Sequence, residues 1–62
     1  MVRDLSALAY PLKTLVFEYN LYARNSLEYA LFNQGLLEGL KRDAATSKVP
    51  AYVKGYQVGK SY

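Results

Sequence analysis

One stretch decides the fold class of this chain: Leu27-Glu-Tyr-Ala-Leu-Phe-Asn-Gln-Gly-Leu-Leu-Glu-Gly-Leu-Lys-Arg42. On a helix with about 100° per residue, its apolar side chains and its two glycines cover an arc of about 220°. Asn33 is the one polar residue inside that arc, whereas an ordinary surface helix carries an apolar stripe of roughly 100°. We therefore predict a helix over about residues 26–42 that needs more than one neighbour to cover it.

Upstream of that stretch, apolar residues recur at alternating steps of three and four, which is the spacing of a helical seam. The seam has two polar interruptions and consists of Leu5, Leu8, Leu12, Leu15, Tyr19, Tyr22, Ser26, Tyr29, Asn33, Leu36 and Leu40. Strand-like alternation is absent from the sequence, so we predict one all-α domain over residues 1–62. Pro11 suits the first turn of a helix, and we favour a helix over about 11–24 that starts there. A short helical turn over 4–9 would precede it, and a kink at Pro11 in a longer helix is the alternative.

Two arrangements of residues 11–42 stay open. One is a single helix from about 11 to 43. The other is a helical hairpin that turns near Asn25, where Asn25 would cap the second helix and Glu28 would complete a capping box. The shortness of the chain favours the hairpin, because a lone long helix can pack only on another copy of itself.

Beyond residue 42 the composition changes. Small and polar residues over 43–49 predict a linker, and Pro50 suits the first turn of a short helix over about 50–60. The net charge of +3 lies in this tail, whose lysines have no acidic residue beside them in the sequence: Lys48, Lys54 and Lys60.

Glycines recur at a spacing of four, as Gly35 and Gly39 and again as Gly55 and Gly59. Glycine in a helix interior is about 1 kcal/mol less favourable than alanine, so four such positions require a reason. Close approach of two helix backbones is one reason, and helix C-caps at Gly39 and Gly59 are the alternative. We favour packing, with the last helix lying across Gly35 and Gly39.

Both long helices carry more apolar surface than one neighbour can cover. On the first helix, Phe17 and Leu21 form a second patch on the side opposite the main seam. A chain of this length buries only about 60% of its unfolded surface, so we expect self-association or a tightly held partner protein; the alternative is that the third helix covers the excess. The residues expected at the interface are Tyr10, Phe17, Tyr19, Leu21, Tyr22, Leu31, Gly35 and Gly39.

The composition excludes several kinds of chemistry. The chain has no Cys and no His, which excludes disulfides, Cys/His zinc sites, haem ligation by His or Cys, and Ser-His or Cys-His nucleophile pairs. Glu28 and Glu38 lie nearly three turns apart on a solvated face, and residues 55–61 miss the spacing of a phosphate-binding loop. We expect a non-catalytic protein without cofactor or metal. Its size suits a small phage or bacterial regulator, inhibitor or accessory subunit.

The sequence also bears on location. The longest apolar region, residues 5–23, contains Lys13, Glu18 and Asn20, and a transmembrane helix needs roughly 20 mainly apolar residues. No signal peptide is recognisable at the N-terminus. We therefore expect a cytoplasmic protein.

Binding of RNA is the alternative function. Lysines attract phosphates and tyrosine rings stack on unpaired bases, and the tail alternates the two residue types at Lys48, Tyr52, Lys54, Tyr56 and Lys60. On an ideal helix the three lysines lie about 120° apart. They are thus expected to surround the helix rather than to line one face.

The second half of the chain resembles a known family. Gln34-Gly35-Leu-Leu-Glu-Gly39 together with Ala51-Tyr52-Val-Lys-Gly55-Tyr56-Gln57-Val-Gly59 is similar to the small bacterial and phage proteins related to ribosome modulation factor. Those proteins have two short helices with glycine-spaced motifs and a linker that often contains proline. Here Tyr52 and Tyr56 stand where that family tends to have Trp, the chain is less basic, and its first 24 residues have no counterpart. The resemblance implies a ribosome-associated regulator that contacts ribosomal RNA through Lys48, Lys54 and Lys60.

Overall fold

The computed structural model describes the backbone of residues 5–62 and the side chains of residues 11–62. Within this part the chain is all-α, as predicted, and residues 20–26 and 41–49 connect the helices. The helices are α1 Leu5–Tyr19, α2 Leu27–Leu40 and α3 Pro50–Ser61. None of them is long and apolar enough to cross a membrane.

The first helix differs from the prediction at both ends. It begins at Leu5 and runs through Pro11, so the predicted start at Pro11 is wrong. A proline inside a helix removes one backbone hydrogen bond. Pro11 is itself buried, and burial of its apolar ring opposes that loss. At its other end α1 stops at Tyr19, several residues before the predicted end near 24.

Asn20 forms the corner between α1 and α2. Its buried side-chain amide donates to the Tyr29 carbonyl at 3.1 Å and to Asn33 Oδ1 at 2.8 Å. Its own Oδ1 accepts a hydrogen bond from the backbone N–H of Tyr22 at 3.2 Å. A buried amide needs such partners, and these lie on α2 and in the turn. The chain therefore turns after Tyr19, and the alternative of one helix from 11 to 43 is wrong.

The second helix is capped by Ser26 rather than by Asn25. Ser26 has extended backbone angles, and its Oγ accepts a hydrogen bond from the backbone N–H of Tyr29 at 3.1 Å. Serine and asparagine are equally good N-caps, which explains why the position was misplaced by one residue. Glu28 lies in the first turn of α2, where the helix dipole favours an acidic side chain.

Helices α2 and α3 run parallel, with their glycine faces in contact. A Cβ atom on Gly35 would lie 2.9 Å from the backbone nitrogen of Tyr56, and one on Gly55 would lie 2.8 Å from the carbonyl carbon of Phe32. The same close approach repeats between Gly39 and Gly59. Because Gly35 faces Gly55 and Gly39 faces Gly59, residue numbers rise in the same direction along both helices. The predicted packing of the last helix across Gly35 and Gly39 is thus confirmed.

The C-cap alternative for these glycines is wrong. Helix α2 continues beyond Gly39 and has Lys41 as its C-cap, and α3 continues beyond Gly59 to a C-cap at Tyr62. Both glycines are buried. Their role is to permit the close approach of the two backbones.

The core lies where the three helices meet. Its buried cluster consists of Leu15, Phe32, Leu36 and Leu40, and Leu12, Val16, Tyr22 and Val58 pack around it. Helices α2 and α3 contact each other far more extensively than either contacts α1. The third helix therefore covers the apolar excess of α2, as the alternative reading of the sequence had it, but among the described side chains of α1 it leaves Phe17 uncovered.

Candidate protein-binding surface

Among the side chains of residues 11–62, the most exposed apolar ones lie at the end of α1 and in the turn that follows. Phe17 is 84% exposed and Leu21 is 89% exposed. We call these two residues the knob; Phe17 lies on α1, and Leu21 follows four positions later, beyond the end of that helix. Phe17 points outward because Leu15, two residues earlier and about 200° away on the helix, occupies the core. Full burial of one such side chain stabilises by about 1.5–3 kcal/mol, and this gain is not realised in a single molecule.

Charged side chains of both signs stand close to the knob in the sequence. Lys13 and Arg24 line a depression of about 450 Å³ that includes Phe17. Glu18 directly follows Phe17 and is exposed, as is Glu28 in the first turn of α2. The depression beside Phe17 is thus lined by two basic residues, and an exposed acid follows Phe17 in the sequence.

A second apolar feature is the groove between α1 and α3, with a volume of about 580 Å³. Its floor is formed by Leu15, Phe32 and Val58, and its walls by Tyr19 and Tyr62. Lys54, Gln57 and Ser61 stand at its rim, and Lys54 is the charged member of the lining. We call this feature the α1–α3 groove.

The predicted interface residues separate into an exposed and a covered set. Phe17 and Leu21 are open to solvent and Tyr19 is 52% exposed, so these three remain available to a partner. The others are placed as follows: Tyr22 packs on the core against the Phe32 ring, Leu31 is half-buried, Gly35 and Gly39 are buried against α3, and the Tyr10 side chain lies outside the described residues.

Leu27 is a residue that the sequence reasoning missed. It is the first residue of α2 and is 72% exposed. The helical spacing indicated that Leu27 is exposed, because it lies about 180° around the helix from Leu36. Leu36 is completely buried.

Two tyrosines of the tail, Tyr52 and Tyr56, already pack against other parts of the molecule. Tyr52 is fully buried, and its hydroxyl donates to the Glu38 carboxylate and accepts from the backbone N–H of Thr46 at 3.0 Å. The Tyr56 ring stacks on Tyr52 with centroids 6.0 Å apart, and Lys60 Nζ lies 5.6 Å from its centroid. The expectation that Tyr52 stacks on RNA is therefore wrong, and Tyr56 already has neighbours of its own.

The lysines of α3 are better placed for binding RNA than the sequence suggested, because they share the outward half of the helix. Because Gly55 and Gly59 face α2, the opposite side of α3 is centred on Gln57, with Lys54 and Lys60 about 60° to either side. All three are exposed, as is Lys48 in the connection before α3. A separation of 120° therefore keeps both helical lysines on the outward half of α3.

The connection between α2 and α3 is held by Glu38. Its carboxylate accepts hydrogen bonds from the Tyr52 hydroxyl, from Gln34 Nε2 at 3.3 Å and from Thr46 Oγ1 at 3.0 Å. The Tyr52 hydrogen bond, followed by that of Gln34, lowers the pKa of the Glu38 carboxyl below its ordinary value. The Tyr56 hydroxyl donates a hydrogen bond to the Asp43 carbonyl at 2.6 Å, and this bond further restrains the connection.

Arg42 closes the other end of the helix pair. Its Nη1 donates to the carbonyls of Gly39 at 3.3 Å, Gly59 at 3.2 Å and Lys60 at 2.5 Å. The two parallel helices place their negative dipole ends side by side, and this guanidinium lies between them.

Neither family models nor curated proteins nor solved structures match this chain, so no relative assigns a function to the knob, to the α1–α3 groove or to the lysines of α3.

Proposed function

We propose that this chain is a non-catalytic, self-associating protein-binding module of the cytoplasm, in which a second copy covers the knob. A small phage or bacterial regulator, inhibitor or accessory subunit would have this form. The observation that carries the proposal is the 84% and 89% exposure of Phe17 and Leu21. A surface apolar residue on its own is common, but two large and almost fully exposed ones within five residues of the chain are typical of surfaces used for protein contacts.

The energetics support a partner at this site. A 62-residue chain has a small core and is marginally stable alone. Burial of two large apolar side chains stabilises an assembly by about 3–6 kcal/mol before the entropy of association is subtracted. That amount is comparable to the whole stability of a small domain.

The charges near the knob favour a second copy of this chain over a partner protein that carries a large net charge of one sign. Lys13 and Arg24 line the depression that includes Phe17, and the exposed Glu18 directly follows Phe17 in the sequence. A second copy of this chain carries exposed charges of both signs, so it can place an opposite charge, such as that of Lys54, near a charge beside the knob.

The test is the molar mass in solution, measured by sedimentation equilibrium from low to high micromolar concentration. We expect the mass of the wild-type chain to rise with concentration, and Phe17→Glu and Leu21→Glu to remain monomeric. Val49→Glu is the matched control, because Val49 is exposed but lines neither the knob depression nor the groove. Circular dichroism of each variant establishes that it is folded.

Two results would overturn the proposal. One is a wild-type chain that stays monomeric over the whole range. The other is a folded Phe17→Glu variant that associates as strongly as the wild type.

A second candidate function is RNA binding by the outward face of α3. Its specific support is the placement of Lys54 and Lys60 on either side of Gln57, on a helix that carries no acidic residue. The resemblance to ribosome modulation factor-like proteins names the ribosome as the proposed target. Electrostatic binding of this kind weakens as salt rises.

Binding of ribosomes over a salt series tests this candidate. We expect Lys54→Ala and Lys60→Ala each to weaken binding and to reduce the salt slope by about one. Lys13→Ala, which changes an exposed lysine on α1, is the control and should bind as the wild type does. Binding that is insensitive to salt, or equal in all variants, excludes this function.

A further inference from the structure

We propose that self-association is head-to-tail, with the knob of one molecule inserted into the α1–α3 groove of the next. This inference rests on the proposed function, and it specifies which two surfaces meet when one copy binds another. It assigns the groove an occupant, which is the Phe17 and Leu21 side chains of a second copy. It also predicts assemblies larger than a dimer.

The directions of the two features are the first argument. Leu15 forms part of the groove floor, whereas Phe17 belongs to the knob. These residues are about 200° apart around α1, so knob and groove lie on opposite sides of that helix. A two-fold dimer formed by knob against knob would leave the groove empty, while head-to-tail contact covers both apolar surfaces.

Size and polarity are the second argument. The groove volume of about 580 Å³ lies in the range of pockets that hold ligands of some tens of atoms, roughly 300–1,000 Å³. One phenylalanine and one leucine side chain are well within it. The aromatic walls, Tyr19 and Tyr62, are half exposed or more, and they offer ring edges and faces to an inserted phenylalanine.

Charge complementarity is the third argument. Glu18 follows the knob residue Phe17 and is exposed, and Lys54 is the charged residue at the groove rim. The salt bridge found among the described side chains joins Lys41 to Asp43, so it uses neither Glu18 nor Lys54. Insertion of the knob brings Glu18 of one copy towards Lys54 of the next.

Head-to-tail contact allows the assembly to grow beyond a dimer. A contact between two different surfaces leaves a free knob at one end of every dimer and a free groove at the other. Such contacts produce rings or open chains, whereas a contact between identical surfaces stops at the dimer. The wild-type mass is therefore expected to exceed that of a dimer at high concentration.

A complementation experiment tests the inference. Phe17→Glu removes the knob and Val58→Glu removes the groove, and we expect each variant alone to be monomeric. An equimolar mixture still contains one intact knob and one intact groove, so we expect it to form a dimer and nothing larger. Knob-against-knob contact predicts the opposite, since Val58→Glu would then associate as the wild type does and the mixture would gain nothing.

A charge-reversal pair repeats the test without touching the core. Lys54→Glu and Glu18→Lys change exposed residues, and each is expected to weaken association about fivefold. The double variant restores the opposite charges and should associate as the wild type does. Wild-type association that is unaffected by Val58→Glu and by Lys54→Glu overturns the head-to-tail geometry while leaving the proposed self-association standing. A wild-type chain that is monomeric throughout removes both.

Discussion

At the level of single residues, the fold depends on positions where a side chain is missing. The backbones of α2 and α3 touch because Gly35, Gly39, Gly55 and Gly59 carry no Cβ atom. Their spacing of four was visible in the sequence and correctly predicted the contact. The parallel direction was not predictable, because a spacing of four is the same when it is followed along a helix in either direction.

Gly35→Ala tests this packing. Alanine adds about 1 kcal/mol of helix propensity, but its Cβ would lie 2.9 Å from the Tyr56 backbone nitrogen and closer to the Tyr52 carbonyl oxygen. Backbone atoms cannot rotate away, so we expect a net loss of about 1–3 kcal/mol in the free energy of unfolding by urea. Gln57→Ala, at an exposed position of α3, should change it by less than about 0.5 kcal/mol. A Gly35→Ala variant as stable as the wild type contradicts the close approach.

Glu38 gives the molecule a dependence on pH. Hydrogen bonds from Tyr52 and Gln34 lower the pKa of its carboxyl in the folded state. Above the unfolded-state pKa both states are ionised and the stabilisation is complete. As the pH falls from there through the folded-state pKa, the unfolded state binds the proton first, and the stabilisation is lost.

Unfolding by urea at pH values from about 6 down to 3 measures this effect. The wild-type chain should lose stability towards the acid end, and Glu38→Gln should lose less over the same range because it has no proton to bind. Glu28→Gln, which changes an acid at the start of α2, is the matched control. Equal acid sensitivity of the wild type and Glu38→Gln would show that Glu38 does not hold the connection.

At the level of whole helices, the ends were harder to predict than the helices themselves. The three-four spacing continues from Leu15 through Tyr19 to Tyr22, and no Gly or Pro interrupts it. The helix stops at Tyr19 because the buried Asn20 side chain reaches Tyr29 and Asn33. Those partners are distant in the sequence, so no local pattern contains the signal.

The C-terminal end of α2 provides an element-level prediction. Arg42 has a φ of 62°, a left-handed conformation that disfavours side chains by about 1–2 kcal/mol, while its guanidinium caps carbonyls of both helices. Arg42→Ala keeps the strain and loses the hydrogen bonds, so we expect a loss of about 1–3 kcal/mol. Arg42→Gly loses the same hydrogen bonds, but it also relieves the backbone strain, because glycine adopts a positive φ readily.

Thermal or urea unfolding of the two variants separates the contributions. Arg42→Gly should be more stable than Arg42→Ala by about 1 kcal/mol. Arg42→Lys, which keeps the charge without the planar donor fork, should lie between Arg42→Ala and the wild type. If Arg42→Ala unfolds at the same urea concentration as the wild type, the guanidinium does not join the two helix ends.

At the level of the whole molecule, the sequence correctly predicted the three helices of the described residues and an excess of apolar surface, but not where all of that excess would lie. Helix α3 covers α2, and the most exposed of the described apolar residues are Phe17 and Leu21, which the helical spacing had placed opposite the main seam. The α1–α3 groove was not predictable, because it depends on how α1 rests against α3. Base stacking by Tyr52 was excluded for the same reason, since the packing of α3 on α2 buries its ring.

The most direct measurement follows the environment of the Phe17 ring itself. A fluorine atom on that ring reports contact with water through the change in its chemical shift between H2O and D2O. We predict a full solvent effect in dilute solution, where single molecules predominate, and a progressive loss of it as concentration rises and a second copy covers the ring. A ring that is already shielded from water at the lowest concentration, or one that stays fully exposed at the highest, contradicts the account.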